Sequence, residues 1–177
     1  MYGAVMRGVK ANLRPPTDDE IPALARQIRD PEGHPYDAPS LRAASWWEEW
    51  FRKSAESPNK VLWAVDVEGK AIGTTNIRDI EWINRTAVTG ISILKEYWGR
   101  GVGSEAIALR TAYAFRELNL NKLKTYTAYE NEPIKRALRK VGYREVGVSR
   151  QERYLHGRFR DEWLAELLRE DWERAQT

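Results

Sequence analysis

Apolar positions along the chain repeat first with a period of two and later with a period of three to four, and the changes of period divide it into elements. Val61 to Val67 alternates and is rich in β-branched residues, as a strand should be. Glu68-Gly69-Lys70 makes a short turn, Ala71 to about Ile80 returns as the partner, and Asn84-Arg85 turns into Thr86 to Leu94, giving an antiparallel meander. Upstream, Val9 to Leu13 reads as a first strand stopped by Pro15 and Pro16. Thr17 and Glu20 form a capping box for a helix through about Arg29. Prolines at 31, 35 and 39 with Gly33 mark 30–39 as a loop. Ser40 then opens a second helix with Trp46, Trp47, Trp50 and Phe51 at three- and four-residue spacings.

Downstream, Ser104 to Leu118 has helical periodicity, with Ala106, Leu109 and Tyr113 beside Ile107, Ala114 and Leu118. Lys122 to Ala128 follows as a strand, so strand, loop, helix and strand form a crossover between parallel strands. Pro133 suits the first turn of a helix running to Val141, with Gly142 as its stop. Arg144 to Arg153 and Phe159 to Leu168 predict a last hairpin around His156-Gly157, ahead of a short polar tail. The fold class is α+β, a mixed sheet with helices on its faces.

At 177 residues the chain suits one domain spanning 1–177. Its 29 basic and 26 acidic residues leave a net charge of +3 with no block of one sign, which argues against a nucleic-acid partner. Cysteine is absent, so disulfides and thiolate chemistry are excluded. His34 and His156 lie far apart without a H-E-x-x-H pair, which argues against a catalytic metal. Residues 1–12 lack the apolar stretch of a signal peptide and no run is long enough to span a bilayer, so a cytoplasmic protein without membrane contact is expected.

The segment that carries chemistry is Trp98-Gly99-Arg100-Gly101-Val102-Gly103-Ser104, ahead of the long helix. Alternating glycines permit positive φ and close approach of a ligand to the backbone. Successive N–H groups at a helix N-terminus suit an anion such as a pyrophosphate, with Arg100 as an added cation. Gly101-x-Gly103-x-x-Ala106 also matches a dinucleotide fingerprint. That reading, a nicotinamide-linked oxidoreductase, needs the glycines directly after the strand, but Lys95 to Trp98 intervenes and no acidic residue follows about 20 positions later.

With these residues in view the sequence resembles the GCN5-related N-acetyltransferase family, and within it the ribosomal-protein and polyamine branch. The family's Arg/Gln-x-x-Gly-x-Gly/Ala loop is met by Trp98 to Gly103, with Trp98 departing from the usual polar first residue. Tyr97-Trp98-Gly99, Glu105-Ala106, the strand end Gly90-Ile91-Ser92-Ile93, Asn131, Arg139-Lys140-Val141-Gly142-Tyr143 and Gly157 to Asp161 match the branch in order, over about residues 7–172. The resemblance implies a mostly antiparallel twisted sheet of six to seven strands with helices on both faces and one central β-loop-α-β crossover. It implies acetyl-CoA as co-substrate and no metal. Ile91, Ser92 and Ile93 would hold the pantetheine arm through the backbone, and residues 98 to 104, Val102 included, would cradle the pyrophosphate. Asn131 would contact the arm, with Lys135 or Arg136 near the outer phosphate; capping of the next helix is an equal use for Asn131. Trp46, Trp47 and Trp50 fall where the family builds its acceptor lid, where they can bind an apolar or cationic amine, or else simply pack on the core.

The catalytic pattern breaks in two places. Where many members carry a proton-donating Tyr or Ser, Leu138 stands, although a thiol of pKa about 8.5 leaves tolerably as thiolate. Where related enzymes carry a strand carboxylate, Tyr126 stands. Asp79 and Glu81, near a strand end, are candidates for orienting or deprotonating the amine, and Tyr126, Tyr129 or Tyr143 for supplying a proton, unless each tyrosine simply packs. The expected activity is direct attack by an amine (a peptide N-terminus, a polyamine or a small amine) on acetyl-CoA, by a monomer or homodimer. The competing reading is an acyl-CoA-binding sensor that has lost turnover, motivated by Leu138.

Overall fold

A computed structural model describes residues 1–27, 35–36 and 42–176. The expected extension of the first helix to Arg29, most of the 30–39 loop and the expected helix start at Ser40 lie outside those residues.

Among the described residues, one sheet of eight strands organises the fold, in the order β1-β2-β3-β4-β5-β6-β8-β7. β1 (Met6–Arg7) and β2 (Asn12–Arg14) form a small hairpin, and β3 (Val61–Val67), β4 (Lys70–Glu81) and β5 (Thr86–Ile93) form the meander. β6 (Lys122–Ala128) joins β5 in parallel, and the hairpin of β7 (Arg144–Leu155) and β8 (Arg158–Leu168) completes the far edge through β8. All other pairings are antiparallel. The count exceeds the expected six to seven because a short strand, β1, precedes the expected first one, which is itself shortened from Val9–Leu13 to Asn12–Arg14. Val9 is 95% exposed and the chain turns over Gly8-Val9-Lys10.

The helices are α1 (Ile21–Gln27), α2 (Ala44–Ser54), α3 (Val102–Arg116), α4 (Glu132–Val141) and α5 (Arg169–Arg174). β3 shows why both faces of the sheet are covered. Its Val61, Trp63 and Val65 enter a core with Ala106, Ile107 and Ala114 of α3, while the alternate Leu62 and Ala64 enter a second core with Ile21, Leu24 and Phe51 of α1 and α2. Of the expected capping box, Glu20 does accept the Thr17 amide at 2.9 Å, yet the helix proper starts only at Ile21 after a turn over 18–20. The expected polar tail folds as α5, whose Trp172 is buried 5.4 Å from the Phe115 ring.

Two features of this frame position the site. β5 and β6 pair only over Thr86–Val88 and Lys122–Lys124, then part. α3, the crossover helix, begins beside the gap so formed.

Candidate active site

The parting of β5 and β6 opens a cleft of about 550 Å³. One wall is β5 from Thr89 to Ile93, the other Thr125 to Thr127 of β6 and the inner face of α4. The far end is closed by the loop before α3. Because β6 leaves, the β5 backbone groups on that side have no strand to pair with, and an extended amide-bearing ligand is the kind of guest they suit.

The loop end is built by glycine. Gly99 and Gly101 adopt φ of 75° and 83°, a region that side chains disfavour. Gly101 is the N-cap of α3, and no side chain caps that helix, so its first amides remain available to an anion. A Cβ at Gly101 would fall 2.9 Å from the Lys10 Nζ. That places an ammonium beside the loop from the N-terminal hairpin, a residue the sequence alone gave no reason to choose. The hairpin turn is held there by Glu105, whose carboxylate accepts the amides of Val9, Lys10 and Ala11. Trp98, the departure from the family pattern, donates its indole N–H to the Ile93 carbonyl at 2.9 Å. Tyr36 stacks on its ring at 6.4 Å and 18°.

Ile91, Ser92, Ile93, Trp98, Gly99, Gly101, Gly103, Ser104, Asn131 and Arg136 all line the cleft. Asn131 also caps α4, its side-chain oxygen accepting the Ile134 amide while its nitrogen donates to Thr127 Oγ1 at 3.1 Å. Three expected residues are placed elsewhere. Val102 is buried in the α3 core, so only its backbone faces the loop. The exposed Arg100 guanidinium lies 5.5 Å from the Tyr97 ring centroid, outside the lining. Lys135 is 3% exposed, with its Nζ donating to the Tyr129 carbonyl at 2.6 Å and pairing with Glu132. It fastens the start of α4, and Lys140 stands at the cleft instead, beside Arg136.

Of the catalytic candidates, Tyr126 alone reaches the cleft. Its hydroxyl accepts a hydrogen bond from Arg78, and the Arg78 and Arg153 guanidinium carbons lie 5.2 and 5.6 Å from its ring centroid. Asp79 has φ of 53° at a bulge where the β4–β5 register shifts between Arg78 and Glu81. The bulge turns its carboxylate outward, 65% exposed and paired with Arg78. Glu81 accepts the amides of Ile83 and Asn84 and so holds the β4–β5 turn. Neither carboxylate lines the cleft. Trp46, Trp47 and Trp50 are likewise absent from the lining. They follow one another edge to face at 4.9 and 5.4 Å, and Trp47 and Trp50 pack on the α1–α2 core. Leu138 does line the cleft, buried and unable to donate a proton.

A family profile described as acetyltransferase (GNAT) domain matches residues 10–144, well over half of the chain. The chain belongs to the GNAT acetyltransferase family. Membership makes it an acyltransferase with acetyl-CoA as co-substrate. The putative ribosomal N-acetyltransferase YdaF of Bacillus subtilis is 30% identical over 125 residues, 71% of this chain and 68% of that protein. The spermidine N(1)-acetyltransferase of Escherichia coli K12 is 31% identical over 111 residues, 63% of this chain and 60% of that protein. In fold, the chain is similar to the spermidine N-acetyltransferase from Vibrio cholerae in complex with CoA and spermine, with TM-score 0.84, 23% identity and coverage of 93% and 98%. It is similar also to Mycobacterium smegmatis RimJ in complex with CoA-disulfide, with TM-score 0.79, 22% identity and coverage of 90% and 82%. Among the described residues, no helix is long and apolar enough to cross a membrane, and no group of three metal-ligating side chains is assembled.

Proposed function

We propose that this GNAT member transfers the acetyl group of acetyl-CoA to a primary amine by direct attack within a ternary complex. The observation that carries the reading is the coincidence of two features in one cleft. β5 loses its neighbour after Val88, and the uncapped N-terminus of α3 opens at the other end of the same gap. The pantetheine amides would pair with β5 around Ile91 and Ile93. The pyrophosphate would rest on the amides from Gly99 to Ser104, with Lys10, Arg136 and Lys140 supplying positive charge. A β5 amide beside the thioester would stabilise the oxyanion as the amine attacks. The C–S bond then breaks with its electron pair on sulfur, and Tyr126, one of the hydroxyl-bearing residues that line the cleft, would protonate or steady the thiolate.

The character of the mouth bears on the acceptor. Arg78 and Arg153 flank Tyr126 there, while Trp47 and Trp50 pack against the α1–α2 core and Trp46 is exposed beside the Arg42 guanidinium. Each guanidinium keeps a carboxylate partner, Asp79 for Arg78 and Glu162 for Arg153, so cation and anion meet in pairs at the entrance. The acceptor is a primary amine: a peptide N-terminus, a polyamine or a small amine. The buried Leu138 keeps one other reading in play, an acyl-CoA sensor without turnover. Calorimetry with acetyl-CoA, followed by thiol release across peptides with acidic and basic second residues, small amines and spermidine, decides among these. Failure to bind acetyl-CoA at millimolar concentration sinks the transferase reading. Tight binding without turnover on any amine selects the sensor.

A further inference from the structure

Arg110 stands on the inner face of α3, fully buried, and reaches the vertex at which β5 and β6 part. Its Nη1 donates to Thr75 Oγ1 and to the Gly90 carbonyl, both at 2.8 Å. Its Nε and Nη2 meet no acceptor. Among the described residues no carboxylate pairs with it, and the Tyr143 hydroxyl, which lies against the guanidinium, does not reach these two nitrogens at hydrogen-bond geometry. A buried cation without a counter-anion is strongly unfavourable, and burial presses its pKa below the ordinary arginine value.

The two idle nitrogens are not a random pair. Nε–H and the Nη2–H beside it point the same way from the planar guanidinium, and together they make the fork that binds both oxygens of one carboxylate. Arg110 is among the residues that line the cleft, with Thr89, Thr125 and Leu138, and Nε and Nη2 are its buried, unpartnered atoms. The pyrophosphate at the start of α3 cannot be their anion. Arg110 lies eight residues beyond Val102, ~12 Å along the helix axis at 1.5 Å per residue. A donor whose phosphates rest on the loop and whose pantetheine follows β5 brings its acyl end to the vertex.

We infer that, beyond acetyl transfer, this chain accepts an acyl-CoA whose acyl group ends in a carboxylate, a dicarboxylic acyl donor of the succinyl class, held by the Nε/Nη2 edge of Arg110. The inference rests on the donor placement proposed for the cleft. The reaction is the same displacement: the amine nitrogen bonds the thioester carbon, the C–S bond breaks, and the displaced proton passes to the thiolate or to solvent. The distal carboxylate is unchanged, so the products are an amide with a free carboxylate and CoA.

Calorimetric titration of the full chain with CoA, acetyl-CoA and succinyl-CoA, without acceptor, tests it. We expect succinyl-CoA to bind at least tenfold tighter than acetyl-CoA. Arg110→Met should bring that ratio close to one, and Arg110→Lys, which keeps the charge without the fork, should leave it between the two. Equal affinities in the unaltered protein overturn the inference even if neither variant folds, and so does a preference that survives Arg110→Met. Equal affinities would mean that ordered water serves the guanidinium. If CoA itself fails to bind, the donor placement falls and this inference with it, whereas CoA binding without a succinyl preference removes this inference alone.

Discussion

The Trp98 indole donates to the carbonyl of Ile93 at 2.9 Å, tying the loop before α3 to the last residue of β5. A polar residue is usual in the family at this position, yet the indole N–H supplies the same kind of contact from a rigid ring that also covers apolar surface. Trp98→Phe keeps the ring and leaves the carbonyl unanswered. We expect a loss of about 1 kcal/mol in stability. Acetyl-CoA affinity should weaken about three- to tenfold, as read by calorimetry.

Gly101 presents the first turn of α3 to the anion in a left-handed conformation, φ 83°. Gly101→Ala costs about 1–2 kcal/mol of backbone strain and drives a methyl toward the Lys10 ammonium. CoA binding should fall at least tenfold. If affinity for CoA is unchanged while that for a dephosphorylated pantetheine fragment drops, the anion does not sit on this turn.

Glu105 joins two parts of the chain that lie 96 positions apart at Val9, answering the Val9, Lys10 and Ala11 amides with one carboxylate. Glu105→Ala strips those bonds together and should cost about 2 kcal/mol. For a chain of this size that is a fall of about 4–8 °C in Tm, measured by calorimetric melting. A second effect, weaker CoA binding, is expected because Lys10 rides on the same turn.

The Tyr126 hydroxyl is the proton source proposed for the departing thiolate. Tyr126→Phe should lower kcat about tenfold with little change in KM for acetyl-CoA, a modest effect because an alkyl thiolate already leaves tolerably. An unchanged kcat, measured by thiol release under saturating donor, assigns the tyrosine to packing against Arg78 and Arg153.

Lys60 supplies a pH signature. Burial first, and the nearby Arg78 second, bring its pKa down from 10.5 to about 8. The ammonium donates to Ser54 Oγ at 2.7 Å and lies 3.1 Å from the Trp50 ring centroid. Below about pH 8 both folded and unfolded chains carry the charge, and the folded one bears its desolvation. Between about 8 and 10.5 the folded chain releases the proton first, so stability rises with pH across that window. Lys60→Met should flatten the rise and raise the urea midpoint at neutral pH. A slope unaltered by the substitution assigns the dependence to another group.

Much of the sheet was legible because its strands announce themselves locally. Val61 to Val67 alternates, Gly69 sits in the turn with φ 85°, and Gly142 ends α4 with φ 107°. The N-terminal hairpin was not, because what folds Gly8-Val9-Lys10 is a carboxylate on a distant helix and no nearby pattern encodes it. α5 looked like a polar tail since one apolar side chain, Trp172, fixes a segment otherwise charged. The turn before α3 was readable from its glycines, two of which take positive φ. The spacing of Trp46, Trp47 and Trp50 does not separate packing from acceptor binding, because burial and ligand binding use the same residues; in the fold they stand outside the cleft lining. Arg110 escaped for a different reason. It lies four residues after Ala106 and four before Ala114, squarely on the buried face of α3, but a charged residue in a helix is ordinarily assigned to the solvent side. The warning was in the periodicity, which gave that position no other face to occupy.

The brief contact of β5 with β6 also divides the molecule mechanically. Among the described residues the β5–β6 ladder has three residue pairs, helped by the Thr89 and Thr125 hydroxyls, with α3 strapped across the seam. A seam so short is a natural hinge line, and a chain of amides laid along β5 would act as the missing stitches. Amide protons from residues 89 to 93 should therefore exchange with deuterium sooner than those of β3 and slow sharply once donor is added. The donor would thus act on the protein twice, as reactant and as the piece that makes two half-sheets rigid.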